Sequence, residues 1–243
     1  MNALTTTFVR RLRERDEAAW FELWQDFGPA IRFQLQKWGH GRVGFETIQD
    51  LTQETLAELS KCIDRYDPNR GARFSTWLLS IAKHLLGDEM DRRNAKKRGS
   101  GVKPLSLDER IDSKSVASNV DEIFEQKIFG AKICAAIRRT ETEVDFLHFQ
   151  VWRMRALDNK TGKEISAQLG ISEPTASRHV AKIRKHLRQT IMHVVMQYSF
   201  TSDEEGEPSA AGMVGSDSEF DAAVSEAYHQ HQLFLEQESK RNR

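Results

Sequence analysis

Residues 50–98 read DLTQETLAELSKCIDRYDPNRGARFSTWLLSIAKHLLGDEMDRRNAKKR, and this stretch carries the clearest pattern of the chain. Its first part places apolar side chains at helical spacing, at Leu51, Leu56, Leu59 and Ile63. We expect that stripe to be buried, which leaves another face with Asp50, Gln53, Glu54 and Glu58. The residues 67–71, DPNRG, predict a turn. A second long helix with Trp77 then ends in a basic cluster.

Charge is distributed unevenly along the 243 residues, although the formal net charge is zero. Residues 201–243 contain ten acidic and three basic side chains, so residues 1–200 hold 33 basic against 26 acidic ones, a net charge of +7. A basic body with an acidic tail favours a nucleic-acid partner. With 39% hydrophobic residues, the chain can form one or two modest cores, and two domains are expected.

Several functional classes find little support in the sequence. Cys62 and Cys134 stand apart inside helical patterns, so neither a disulfide nor a metal site is expected, and no cofactor. Asp88, Glu89 and Asp91 point in different directions on a helix, so we predict no catalytic site. No apolar run approaches the roughly 20 residues that span a bilayer, and the start lacks the apolar core of a signal peptide. We expect a cytoplasmic protein without a membrane partner.

The remaining segments complete the organisation of the chain. Asp16 is expected to cap a helix that ends at Gly39 and that Pro29 bends or restarts. Residues 99–119 have few large apolar side chains and predict a linker. Residues 201–215 are expected to be disordered. One amphipathic helix is then predicted from the apolar positions Phe220, Val224, Ala227, His231 and Leu235.

Residues 163–187, KEISAQLGISEPTASRHVAKIRKHL, predict a helix-turn-helix. Gly170 tolerates a positive φ, Ser172 can cap the second helix, and Pro174 stands in its first turn, where no hydrogen bond is lost. One side of that helix carries polar and basic groups, at Thr175, Arg178, His179, Lys182 and His186. Such a side can donate hydrogen bonds to base edges and phosphates in a major groove.

Over residues 5–195 these segments resemble the extracytoplasmic-function (ECF) group of bacterial RNA polymerase sigma factors. The resemblance implies an all-α chain with two small helical domains, a region 2 bundle and a region 4 helix-turn-helix, joined by a flexible linker. The implied order is the region 2-like domain at 1–98, the linker at 99–119, the region 4-like domain at 120–197 and an acidic extension at 198–243. It also implies that the chain binds core polymerase, selects promoters and assists strand opening.

The same resemblance implies roles for individual residues. The residues that would dock on the β′ clamp helices of the polymerase are Asp50, Gln53 and Glu54. The residues that would contact the melted minus-ten element are Tyr66, Asn69, Arg70, Arg73, Trp77, Lys83 and His84. The residues that would read the minus-thirty-five duplex are Ser172, Thr175, Ser177, Arg178, His179 and Lys182. The β flap and promoter DNA are further implied partners, and an anti-sigma factor is left open. Many relatives have Asn at the position of His84.

Two alternatives follow from the sequence. A helix-turn-helix regulator that is not a polymerase subunit would need no docking face, because helix-turn-helix modules recur on many architectures. The acidic extension is expected to dock on a partner or on the protein's own domains and to screen the basic DNA-reading side. The alternative for the extension is a tail that only increases solubility.

Overall fold

The computed structural model describes residues 2–39, 41–63, 73–98 and 122–241. Their regular structure is helical throughout, which confirms the all-α prediction. The helices are α1 (Ala3–Arg13), α2 (Glu17–Gly39), α3 (Phe45–Cys62), α4 (Phe74–Arg98), α5 (Glu122–Glu143), α6 (Phe146–Ala156), α7 (Gly162–Leu169), α8 (Glu173–Gln197), α9 (Ser202–Glu205), α10 (Glu207–Ala210) and α11 (Asp217–Arg241). Within these ranges, no helix has the length and apolarity that crossing a membrane requires.

The helices divide into two compact units. The first unit contains α1 to α4, α5 as far as Ile128, residues Ser199–Thr201 and the chain end from Glu238. The second unit contains the rest of α5, α6 to α8 and the segment Ser202–Gln237. The C-terminal extension is therefore for most of its length a part of the second unit. The predicted linker, residues 99–119, lies outside the described residues.

The first unit is a bundle in which α2, α3 and α4 all contact one another. Asp16 caps α2 as predicted, because its Oδ1 accepts hydrogen bonds from the backbone N–H groups of Ala18 and Ala19 at 2.9 and 3.2 Å. Pro29 does not restart the helix, since α2 continues through it. Ile31 and Leu35 beyond the proline are fully buried, and this packing outweighs the backbone hydrogen bond that proline removes.

The contact between α3 and α4 holds the acidic helix in place. Leu59 and Ile63 are buried, and the buried Thr52 and Thr55 hydroxyls donate to carbonyl oxygens one turn earlier at 2.7 and 2.6 Å. Arg93 near the end of α4 donates to the Thr47 hydroxyl at 2.8 Å. Because buried hydroxyls and this guanidinium all have acceptors, α3 can pack closely on α4 without an unsatisfied polar group at these positions.

The second unit contains the helix-turn-helix, in which α6, α7 and α8 pack together. Its core is formed around the fully buried Trp152. The Thr161 hydroxyl and the Glu164 carboxylate form a capping box at the start of α7. Gly170 ends α7 with a φ of 65°, and the Ser172 hydroxyl accepts from the Thr175 backbone N–H at 3.3 Å. Both local predictions for this turn are confirmed.

The extension is ordered in a way that corrects one expectation. The prediction that residues 201–215 are disordered is wrong, because α9 and α10 form there and contact α8. The amphipathic helix is confirmed as α11, with Phe220, Val224 and His231 buried. At Gly130 of α5, an added Cβ would lie 3.2 Å from the His231 side chain, so the absence of a side chain there permits close packing.

Candidate functional site

The acidic face of α3 is presented as the sequence predicts. Asp50, Gln53 and Glu54 are exposed, while Leu51 and Leu59 on the other side of the helix are buried. Within the described ranges, neither of the two carboxylates forms an ion pair at contact distance. The face is thus a hydrogen-bonding surface with two negative charges, supported by a packed helix and open to solvent.

Farther along the same face, Glu58 pairs with Lys61, at 2.9 Å between Oε2 and Nζ. This contact raises the pKa of the Lys61 ammonium above its ordinary value, first through the hydrogen bond with Glu58 and then through its charge. Glu58 is therefore partly neutralised. The open acidic surface is confined to the first half of α3.

Three of the residues predicted to contact single-stranded DNA share one face of α4. Arg73 immediately precedes the helix, and Trp77 and His84 follow at spacings of four and seven residues, which place them in one row. Trp77 is half-buried, and the His84 side chain is only 9% exposed, with its Nε2 3.2 Å from a carboxylate oxygen of Asp88. Lys83 is exposed on the neighbouring side of the helix.

The described residues do not include three other predicted minus-ten contacts, Tyr66, Asn69 and Arg70, or the predicted turn at 67–71. Arg73 donates from Nη1 to Glu125 Oε2 at 2.8 Å, so its charge is partly neutralised within the first unit. The row on α4 therefore combines an aromatic ring, an imidazole and a paired guanidinium.

The outward side of α8 presents the residues that were predicted to read duplex DNA. Ser177, Arg178 and Lys182 are exposed, as is Ser172 at the cap. The Ser172 and Thr175 hydroxyl oxygens lie 2.9 Å apart and bond to one another. Arg178 and Lys182 are separated by one turn, so the two cations stand side by side on the helix surface. This arrangement suits contacts with successive phosphates or with the edges of neighbouring bases.

His179 is integrated into the helix-turn-helix differently from its neighbours. Its ring stacks on that of His148 in α6, with the centroids 4.0 Å apart. Burial is the largest cause that lowers the pKa of His179, the charges of His148 and Lys182 lower it further, and Asp145 opposes them. The neutral form is therefore favoured. His179 acts as a packing contact of α8 and presents only part of its ring to solvent.

The extension contacts a flank of α8 that sequence reasoning did not single out. Arg184 donates to both carboxylate oxygens of Asp221, at 3.0 and 2.6 Å, and to Asp217 at 2.6 Å. These bonds raise the pKa of the Arg184 guanidinium, with the Asp221 hydrogen bond as the largest cause. Arg188 donates to the carbonyl oxygen of Met213 at 2.8 Å, and its guanidinium carbon lies 4.1 Å from the Phe220 ring centroid.

This contact corrects the expectation that the acidic extension screens the DNA-reading residues. Arg184 lies about 120° around the α8 axis from Arg178, at 100° per residue. Arg178 and Lys182 remain exposed. The sequence did contain a signal for the contact, since two arginines spaced by four residues on one helix match two aspartates, Asp217 and Asp221, spaced by four on another.

The described residues contain no cluster of three or more His, Cys, Asp or Glu side chains that could hold a metal ion. The groups that the structure places on the three helices are the exposed carboxylates of Asp50 and Glu54 on α3, the half-buried Trp77 ring on α4 and exposed cations on α8.

Comparisons with known proteins identify the family. The Sigma-70 region 2 family model matches residues 23–96, which include α3 and α4 almost entirely. The ECF sigma factor family model matches residues 63–193, more than half of the chain. No curated protein and no solved structure was found to match. The chain therefore belongs to the ECF sigma factor family.

Proposed function

We propose that this chain docks on core RNA polymerase through the acidic face of α3, holds unpaired promoter DNA along α4 and reads duplex DNA with α8. Sigma activity in promoter-specific transcription initiation, with core polymerase and promoter DNA as partners, follows from the family. A regulator that does not join the polymerase would be expected to lack a region 2 match, so this alternative is disfavoured.

The acidic face of α3 is the observation that carries the proposal. A helix whose apolar stripe is buried against two neighbours is rigid, and the carboxylates Asp50 and Glu54 on its open side are available to basic groups. We propose the β′ clamp helices as the surface that meets them, with Gln53 as an additional hydrogen-bonding group. Rigid presentation reduces the entropy lost on binding.

The row on α4 supports a role in holding the melted strand. Bases that leave the stack are bound by aromatic planes, which contribute about 1–3 kcal/mol per base, and by cations along the backbone. Trp77 and Arg73 provide one group of each kind on the same face. We propose that His84 contacts a base beside them, after its contact with Asp88 is exchanged.

The polar side of α8 supports duplex reading by the second unit. Arg178 and Lys182 are exposed on a helix that is capped by Ser172 and packed on α6 and α7, so their backbone positions are well defined. We propose that they contact phosphates and base edges of the minus-thirty-five element, while Ser177 and Thr175 add short hydrogen bonds. The β flap is proposed as the polymerase surface next to this unit.

The test measures binding of the full chain to purified core polymerase. Asp50→Asn with Glu54→Gln removes two charges without changing side-chain size, and we expect about 30-fold weaker binding if the pair contributes about 2 kcal/mol. The control, Glu17→Gln with Asp91→Asn, removes two exposed charges elsewhere on the first unit and is expected to bind normally. Equal binding by all three proteins, or equal weakening in both variants, would contradict the proposed docking face.

A further inference from the structure

One carboxylate in the first unit accepts hydrogen bonds from two donors at the start of α4. Arg73 Nη1 donates to Oε2 of Glu125 at 2.8 Å, and Ser75 Oγ donates to its Oε1 at 2.8 Å. Glu125 lies in the first turn of α5 and is 12% exposed. Ser75 is buried. Each carboxylate oxygen therefore has its own donor in a partly dry environment.

The two donors match a phosphodiester as well as they match a carboxylate. A phosphodiester also presents two charged oxygens on one centre, and guanidinium groups bind both kinds of anion with short, charge-assisted hydrogen bonds. A hydroxyl can hold the second oxygen. A backbone phosphate would bring one negative charge and two acceptor oxygens to Arg73 and Ser75. The Glu125 carboxylate already supplies both to the two donors.

Arg73 belongs both to this donor pair and to the row that it forms with Trp77 and His84 on α4. Arg73 is in register with Trp77 and His84, so Arg73 lies at one end of the surface proposed to hold unpaired DNA. The Glu125 carboxylate connects it to the buried Ser75 hydroxyl. The carboxylate comes from a segment 52 residues farther along the chain. A strand that follows the row toward its N-terminal end would place a phosphate where Glu125 now lies.

We infer that Arg73 and Ser75 form a binding site for a backbone phosphate of the unpaired strand, and that Glu125 occupies this site until DNA displaces it. The inference rests on the proposed function, because it concerns the same strand. Glu125 acts as an internal competitor. Its carboxylate keeps a buried serine and an arginine satisfied in the free protein, and it lowers the affinity for DNA by the fraction of time that the site is closed.

The expected gain in DNA affinity depends on the fraction of time that the phosphate site is open in the wild type. A site that is open about one tenth of the time binds about tenfold more weakly than an open site. Removing the competing charge should therefore strengthen binding by about tenfold. Because the bound wild type also contacts this phosphate once Glu125 is displaced, the slope of log affinity against log salt should be similar in the two proteins. Loss of the contact should make the slope shallower by about 0.7 for a single strand.

The experiment measures binding of the full-length chain to fluorescently labelled (dT)20 by anisotropy at several salt concentrations. Glu125→Gln removes the charge with little change in shape, and we expect about tenfold tighter binding with a similar salt slope. The matched control is Glu122→Gln, which removes the same charge from an exposed position three residues earlier in α5. It should bind like the wild type within about twofold, by the weakness of exposed charges.

Arg73 provides the second half of the test. Arg73→Gln combined with Glu125→Gln should abolish the gain, because the donor that receives the phosphate is then missing. An equal gain in Glu122→Gln would overturn the inference, since it would indicate a general charge effect. Unchanged (dT)20 affinity in Glu125→Gln, with a reduced free energy of unfolding, would also overturn it and would identify a structural ion pair.

The same proteins separate this inference from the proposed function. Wild-type chain and Glu125→Gln are both mixed with core polymerase, and both are expected to bind it equally. If the wild type binds core polymerase and Glu125→Gln gains no affinity for (dT)20, only the phosphate site is refuted. If the wild type fails to bind core polymerase, the proposed docking fails, whatever the affinity for (dT)20.

Discussion

The ion pair between Lys132 and Glu207 predicts an asymmetric response to mutation. Lys132 Nζ of α5 lies 2.9 Å from Glu207 Oε2 of the extension, and their side chains are 1% and 15% exposed. Glu207→Gln leaves a buried ammonium without a counter-charge, which costs about 3–5 kcal/mol. Lys132→Met removes the buried charge and leaves a carboxylate that can reach water. We expect this second change to cost about 1 kcal/mol or less.

The assay is urea unfolding of the full chain followed by circular dichroism, with hydrogen exchange in α10 and α11 to locate the loss. With a slope of about 2 kcal/mol per molar urea, a cost of 3 kcal/mol lowers the midpoint of the second unit by about 1.5 M. Glu236→Gln, at an exposed position of α11, is the control and should stay within about 0.5 kcal/mol of the wild type. Equal costs for Glu207→Gln and Lys132→Met, or a cost below about 1 kcal/mol for the former, would refute the reasoning.

Three further predictions concern the second unit. Arg178→Gln should reduce the log–log salt slope of duplex binding by about 0.9, if Arg178 contacts one phosphate, and an unchanged slope would contradict that contact. Gly170→Ala should lower the free energy of unfolding in urea by about 1–2 kcal/mol, because φ is 65° at this position. The control Gly87→Ala, in the middle of α4 in the first unit, should be neutral or stabilising. Equal effects of the two changes would contradict the backbone explanation. Folding lowers the pKa of His179 from 6.5. Below about that pH the unfolded chain therefore binds more protons than the folded chain, so the free energy of unfolding should fall. It should stop falling once the pH is below the folded pKa. His179→Gln should make the loss of unfolding free energy between pH 7.5 and 5.5 smaller, and an equal loss would exclude this group as its source.

The arrangement of the extension changes the experiment that the sequence alone suggests. Charge reversal after residue 200 favours deletion of the tail as a test of inhibition. In the structure, deletion would remove the partner of buried Lys132 and uncover the flank of α8 at Arg184 and Arg188 that the extension contacts. Loss of activity on deletion would then reflect unfolding of the second unit. Point changes in Asp217 or Asp221 are the more informative perturbation.

Apolar spacing and turn residues predict most of the long helices, the exposed face of α3 and the turn of the helix-turn-helix. Apolar spacing identifies the buried side of α3 and so exposes Asp50 and Glu54, while Gly170 and Ser172 define how one helix ends and the next begins. These properties depend on residues within one or two turns of one another, and local spacing records them. Pro29 and residues 201–215 are the exceptions, because packing against other helices outweighs the local preference.

Two ion pairs between distant segments become apparent only when the helices are packed together. Glu125 accepts from Arg73, 52 residues away, and Glu207 pairs with Lys132, 75 residues away. Each of these side chains resembles an ordinary solvated charge in the sequence, because nothing in its own helix distinguishes it. An ion pair between distant segments depends on how folded helices converge, and its strength depends on the water they exclude. Both depend on the assembled unit, and the helical spacing around Glu125, Lys132 and Glu207 does not indicate them.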